Sequence, residues 1–174
     1  MVRHFDADVD LPFKLTESQV VAVNQILSDM SSKLPMNRLL HGEVGAGKTI
    51  VALLSCLAVK KAGAQSALMV PTELLARQHY NSMRSLIPEL YECSALLTSS
   101  TPRAERVRIL NMVSNGRINL LVGTHSLISE DVIFKDLALV IIDEQHRFGV
   151  QQRLMLKNKG VVPHMLIMSA TPIP

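Results

Sequence analysis

The stretch Gly42-Glu43-Val44-Gly45-Ala46-Gly47-Lys48-Thr49 fits the pattern G-x-x-x-x-G-K-[ST] at every fixed position. It stands between a short apolar run, Leu39-Leu40, and a strongly apolar segment with helical spacing over residues 49–61. Glycines let the backbone curl so that its N–H groups point at phosphate oxygens, and a helix N-terminus adds partial positive charge. The pattern therefore predicts a strand, a phosphate-binding loop and a helix, with a nucleoside triphosphate site at all eight loop residues.

Short apolar runs and helical patterns alternate along the rest of the chain. Strands are expected at residues 67–70, 94–97, 119–122, 137–142 and 165–168. Helices are expected over residues 49–61 and 74–86, a helical turn and a loop follow the strand at 119–122, and a further helix capped by Thr16 and Gln19 precedes the first strand. The polar run 98–102 is expected to cap a helix over 103–114. This alternation predicts an α/β fold, a parallel β-sheet with helices on both faces, in which ligands bind at the carboxyl ends of strands.

Composition narrows the kinds of ligand that the chain can bind. Of its 174 residues, 48% are hydrophobic and 19% are charged, which suits one globular domain with a sizeable core. Only 3% are aromatic and none is Trp, so base stacking on aromatic side chains is excluded as a main binding mode. The net charge of +3 favours nucleic acid only slightly. Any contact with nucleic acid is therefore expected on its backbone.

Residues 1–10 are interpreted as a leader or linker remnant, and residues 11–174 as a single lobe. Cys56 and Cys93 lie in apolar stretches without metal-ligand spacing, and we expect buried free thiols. No apolar run reaches about 18 residues, so no membrane span and no membrane partner are expected. A cytoplasmic location is the corresponding expectation.

Two adjacent carboxylates, Asp143 and Glu144, follow the most apolar predicted strand. The first could hold Mg²⁺, and the second could orient and deprotonate a water that attacks the terminal phosphate. Neighbouring carboxylates repel each other unless a cation is close, which favours this interpretation over plain surface acids at a strand end.

Further segments follow the phosphate loop: Pro71-Thr72-Glu73-Leu74-Leu75-Ala76-Arg77-Gln78-His79, Gly123-Thr124-His125, Asp143-Glu144-Gln145-His146 and Ser169-Ala170-Thr171. Together with residues 42–49 they resemble, in order, the successive motifs of the first RecA-like lobe of superfamily-two helicases. The longer strings 143–153 and 168–174 are most similar to the DNA helicases of this superfamily that migrate branched DNA. The transcription-repair coupling DNA translocases are close relatives, and Gln145 favours the branch-migrating enzymes.

The resemblance implies ATP and Mg²⁺ as cofactors and a role for each matched residue. Lys48 would hold the phosphates, Thr49 and Asp143 the metal, and Glu144 the attacking water. Gln19 would read the adenine edge, although its position also suits a simple helix cap. Residues expected to face DNA, branched or duplex, are Thr72, Glu73, Thr124 and His125. Residues expected to couple the nucleotide to the DNA track are Gln145, His146, Ser169 and Thr171.

The chain also departs from the pattern of this family. Glu43 stands where relatives often have Asp, and Ala46 where they often have Ser, while the fixed loop positions are intact. A second RecA-like lobe, with arginines worth roughly 10³ to 10⁵ in rate, and a wedge domain are expected partners that the 174 residues do not include. Alone, this lobe is expected to bind ATP weakly and hydrolyse it very slowly. A non-catalytic nucleotide-binding scaffold is the alternative, which the intact Lys48, Thr49, Asp143 and Glu144 disfavour.

Overall fold

The computed structural model describes residues 9–42, 47–143 and 163–169. Its helices are α1 (Glu17–Met30), α2 (Lys48–Lys61), α3 (Glu73–Leu86), α4 (Pro88–Tyr91) and α5 (Arg103–Ser114). Its strands are β1 (Asn37–His41), β2 (Gln65–Met69), β3 (Ser94–Leu97), β4 (Leu120–Gly123), β5 (Leu137–Asp143) and β6 (His164–Ser169). A 3-10 turn spans His125–Ile128. Every predicted strand and helix is present, with ends that differ by one or two residues.

The six strands form one sheet in the order β1-β6-β5-β2-β4-β3, and every neighbouring pair is parallel. Parallel neighbours need crossover connections, which the helices supply. Because all strands run the same way, all of their carboxyl ends lie at one edge of the sheet. The predicted α/β fold with a parallel sheet is therefore confirmed.

Both faces of the sheet are covered by apolar side chains. Leu139 and Ile141 of β5 belong to a core shared with α1 to α4, whereas Val140 and Ile142 belong to a second core that includes Ile109 of α5. Successive strand residues point to opposite faces, so a strand buried on both sides has to be apolar throughout. This double burial explains the uninterrupted run of β5 and confirms helices on both faces.

Two predicted caps have different outcomes. At α1, Thr16 accepts the Gln19 N–H and the Gln19 side chain accepts the Thr16 N–H, which is the predicted capping box. The 98–102 run does supply the N-cap residue of α5, Pro102, but none of its hydroxyl side chains caps the helix. The Thr101 hydroxyl instead accepts the Thr98 N–H within the loop, at 3.0 Å.

The cysteines and the first described residues lie as follows. Cys56 is buried, and desolvation raises the pKa of its thiol to about 12, whereas Cys93 is only half-buried. Val9 and Leu11 pack against the core beneath α1 to α4, so apolar packing begins within the segment interpreted as a leader. Within the described ranges, no helix has the length and apolar character needed to cross a membrane.

Candidate nucleotide site and the neighbouring strand ends

The strand order separates the predicted site residues into two groups along the carboxyl edge. The half formed by β1, β6 and β5 carries the residues predicted for nucleotide, metal and coupling: Gly42, Asp143 and Ser169. The half formed by β2, β4 and β3 carries those predicted to contact nucleic acid: Thr72, Glu73, Thr124 and His125. The halves meet where β2 pairs with β5, so Asp143 lies beside the end of β2.

The two described ends of the predicted phosphate loop contact each other and the neighbouring strand. Gly42 donates its N–H to the Ser169 carbonyl at 3.2 Å, which ties the start of the loop to the end of β6. The Lys48 ammonium donates to the Gly42 carbonyl at 2.6 Å, so the lysine side chain reaches back to the residue that follows β1. Gly47 has a φ of 76°, in the left-handed region that glycine adopts without strain, and it occupies the N-cap position of α2. A lysine and a helix N-terminus thus converge at one loop.

Gln19 connects α1 to this loop. Its Oε1 accepts the Thr16 N–H at 2.9 Å, while its Nε2 lies where a β-carbon on Gly47 would stand. Any side chain at position 47 would therefore displace Gln19, in addition to being strained by the positive φ. The helix-cap alternative for Gln19 is realised in the structure. The predicted adenine contact remains a prediction, and it is compatible with the cap because the cap occupies only one lone pair of Oε1 and leaves the Nε2 donors unused.

The metal residues predicted within the described ranges are Thr49 and Asp143. Asp143 is the last residue of β5 and is buried, and its register neighbour in β6 is Met168. Thr49 stands in the first turn of α2. Mg²⁺ usually takes one or two protein oxygens and completes its shell with phosphates and water, so a carboxylate and a hydroxyl suit it. Within the described ranges, no three or more His, Cys, Asp or Glu side chains cluster around a point that could hold a metal ion.

On the other half of the edge, hydroxyl groups mark the strand ends. The Thr72 hydroxyl accepts the Leu75 N–H at 3.2 Å and caps α3, which leaves its own proton available for donation. The Thr124 side chain is buried, with its oxygen 3.4 Å from the Ser126 hydroxyl. His125 is exposed at the start of the 3-10 turn. The exposed Thr72 and His125 side chains suit contacts to a nucleic-acid backbone, which need donors rather than base recognition, whereas the Thr124 hydroxyl is buried beside Ser126.

Glu73 lies at the same edge but bonds within the chain. Its carboxylate accepts the Ser100 hydroxyl at 2.8 Å, the Ser100 N–H at 3.0 Å and the Ser99 hydroxyl at 3.2 Å. The hydrogen bond from the Ser100 hydroxyl is the largest of several that lower the pKa of Glu73 to about 2. Sequence reasoning assigned the 98–102 run to a helix cap and missed this contact. Its signal in the sequence is a run of hydroxyl residues at a strand end.

The other predicted site residues lie outside the described ranges. They are Glu43, Val44, Gly45 and Ala46 of the loop, Glu144, Gln145 and His146 after β5, and Thr171 after β6. Their predicted roles stay predictions.

A parallel sheet with a lysine-bearing glycine loop after its edge strand and a buried carboxylate two strands away defines a nucleotide-binding lobe of the phosphate-loop class. Comparison with known families identifies the lobe further: residues 16–174 match the DEAD/DEAH box helicase family. The chain belongs to that family.

Individual relatives agree with this assignment. The chain is 55% identical over 166 residues to an ATP-dependent DNA helicase RecG of Aquifex aeolicus, which covers 94% of this chain and 21% of the relative. A solved structure of RecG bound to a three-way DNA junction superposes with a TM-score of 0.80 at 50% identity, over 94% of this chain and 22% of that one. The DEAD-box helicase Mss116, solved with single-stranded RNA, has a TM-score of 0.73 at 18% identity, over 97% and 39% respectively.

The relatives found by comparison agree with the family resemblance that the sequence motifs indicated. The similarity to superfamily-two helicases is confirmed, and the identity of 50 to 55% agrees with the preference that rested on Gln145, because these relatives are proteins named RecG. The chain spans about a fifth of the length of the curated relatives that it matches.

Proposed function

We propose that this chain is the ATP-binding lobe of an ATP-dependent DNA helicase that remodels branched DNA in recombination and repair, acting in the cytoplasm. The observation that carries the proposal is the convergence of Lys48, Asp143 and Ser169 at the carboxyl ends of three adjacent strands. Family membership and 55% identity to a helicase named RecG support the same assignment.

Each residue acts through simple chemistry in this proposal. ATP with Mg²⁺, when bound, supplies the phosphoryl group whose transfer to water drives the motor. The Lys48 ammonium binds phosphate oxygens, and Thr49 and Asp143 hold the metal. Gln19 offers its amide to the adenine, and Glu144 orients the attacking water. Gln145, His146, Ser169 and Thr171 link the nucleotide to the DNA surface on the other half of the sheet edge.

Hydrolysis, in this proposal, needs a second RecA-like lobe that closes over the nucleotide. Arginines from such a lobe stabilise charge on the transferring phosphoryl group and are worth roughly 10³ to 10⁵ in rate. Closure of the two lobes would move one of them along DNA, with contacts mainly to the DNA backbone.

Isothermal titration of the 174-residue chain with a non-hydrolysable ATP analogue and Mg²⁺ tests the nucleotide site. The unaltered chain is expected to bind, and Lys48→Ala is expected to weaken binding at least about tenfold, because a charge-assisted phosphate contact is lost. Lys61→Ala is the matched control, since it removes the same charge from an exposed position at the other end of α2.

Two results would contradict the proposal. One is the absence of binding by the unaltered chain at analogue concentrations of about 1 mM, where even a weak site is filled. The other is equal binding by the Lys48→Ala and Lys61→Ala variants. Either result would favour a scaffold that keeps the fold without using its phosphate loop.

A further inference from the structure

The Thr98–Thr101 loop lies at the carboxyl end of β3, and Glu73 at the start of α3 holds it in place. Both oxygens of the Glu73 carboxylate accept bonds from this loop, at 2.8 to 3.2 Å. The loop is also closed on itself, because Thr98 donates its N–H to the Thr101 hydroxyl. The segments that follow β2 and β3 are therefore joined by a charged group.

The end of β3 is held from its other side as well. The Ser126 hydroxyl, in the turn after β4, donates to the Leu97 carbonyl at 3.1 Å. Gly123 approaches the same carbonyl so closely that an added β-carbon would overlap the Leu97 oxygen. The ends of β2, β4 and β3 thus form one connected unit, and the Thr98–Thr101 loop lies within it.

The chemistry of Glu73 argues against a direct contact with nucleic acid. A carboxylate and a phosphate both accept hydrogen bonds and both carry negative charge, so they repel each other. The Glu73 oxygens are moreover already engaged by Ser99 and Ser100. A role at the nucleic-acid surface therefore has to act through the residues that Glu73 holds.

We infer that Glu73 is a positioning residue, which fixes the Thr98–Thr101 loop beside Thr72 and Thr124 as part of the surface that binds the DNA backbone. The inference rests on the proposed function, and it replaces the predicted direct contact of Glu73. It also adds the Thr98–Thr101 loop, which the motif comparison did not include, to the DNA-binding surface.

Binding of a short fluorescent DNA duplex, followed by anisotropy at low salt, distinguishes positioning from charge. Removing a negative charge strengthens DNA binding when nothing else changes. Glu130→Ala removes the same charge from an exposed residue after the 3-10 turn, so its affinity is expected to equal or exceed that of the unaltered chain. Glu73→Ala is expected to bind DNA more weakly, on the order of fivefold, because the loop loses its anchor.

Two further measurements show whether the loop carries the effect. The Ser100 amide donates to Glu73, so its hydrogen exchange is expected to accelerate in Glu73→Ala and to stay unchanged in Glu130→Ala. Ser100→Ala is expected to weaken DNA binding in the unaltered chain. In the Glu73→Ala background it is expected to add almost nothing, because both changes break the same link.

The outcomes separate this inference from the proposed function. DNA binding by Glu73→Ala that matches or exceeds that of Glu130→Ala overturns the inference and leaves the helicase assignment intact. Unchanged exchange of the Ser100 amide in Glu73→Ala, or additive effects of Glu73→Ala and Ser100→Ala, also overturn it. If the unaltered chain binds no duplex, the proposed DNA surface and the inference fail together, whereas the titration with Lys48→Ala still decides the nucleotide site.

Discussion

Replacement of Gln65 by leucine is expected to destabilise the fold strongly, because this buried amide joins three segments. Gln65 is 2% exposed at the start of β2. Its Nε2 donates to the Val113 and Ile118 carbonyls, each at 2.8 Å, and its Oε1 accepts the Asp136 N–H at 2.8 Å. The end of α5, the entry to β4 and the entry to β5 are thus joined at one side chain.

The size of the effect follows from the groups that would lose their partners. In Gln65→Leu the Val113 carbonyl keeps its bond from the Gly116 N–H, whereas the Ile118 carbonyl and the Asp136 N–H lose theirs. Each buried group left unsatisfied costs about 1 to 3 kcal/mol, and added apolar burial offsets about 1 kcal/mol. The free energy of unfolding should therefore fall by about 3 kcal/mol.

Urea unfolding followed by circular dichroism measures this change by linear extrapolation. Gln78→Leu makes the same replacement at an exposed position of α3 and is expected to stay within about 0.5 kcal/mol of the unaltered chain. A loss below about 1 kcal/mol in Gln65→Leu would refute the reasoning, since it would mean that the orphaned groups find other partners at little cost.

Three further predictions concern a close approach and two titrating groups. Gly123→Ala should lower the free energy of unfolding by about 2 kcal/mol, because the new methyl meets the Leu97 carbonyl; a measured loss near zero in urea would contradict this packing. Burial lowers the pKa of His164 in the folded chain from its usual 6.5, and its Nδ1 accepts the Met36 N–H, which requires that nitrogen to be unprotonated. Between the lowered pKa of the folded chain and the ordinary pKa of the unfolded chain, the unfolded chain therefore binds more protons. Stability should be greatest above pH 6.5 and fall as the pH drops below it, while His164→Asn, which keeps an acceptor, should show a flatter dependence in urea titrations at several pH values. The Glu73 carboxyl should titrate near pH 2 by NMR, with its anchoring of the loop intact above the ordinary value of 4.5; a midpoint at that ordinary value would contradict the observed bonds.

Much of the fold follows from local patterns, because each strand carries its own evidence of burial. The uninterrupted apolar run of β5 predicts a strand covered on both faces, and Thr16 with Gln19 predicts the start of α1. The phosphate loop is equally local, since its glycines and Lys48 are contiguous. These features need no knowledge of distant segments.

The order of the strands could not be predicted in this way, because periodicity does not tell which strands become neighbours. Gln65 illustrates the difficulty: a polar residue at the start of a strand resembles a surface residue, and its burial depends on carbonyls about 50 residues away. Glu73 is a second case, because its motif position pointed to DNA while the Thr98–Thr101 loop, remote in sequence, determines its contacts. Partners that are distant along the chain decide both roles.

Among the described strands, β1 pairs only with β6, which has a consequence for the order of assembly during synthesis. The strands β2 to β5 pair only among themselves up to Asp143, so four neighbouring strands can form before β6 has left the ribosome. Strand β1, made early, has to wait for β6, and the Met36 N–H reaches its His164 acceptor across 128 positions. Contacts this distant form slowly because the chain must first close a long loop. The bond from Gly42 to Ser169 therefore forms late, which makes the anchoring of Gly42 to the end of β6 a sign that translation has passed residue 169.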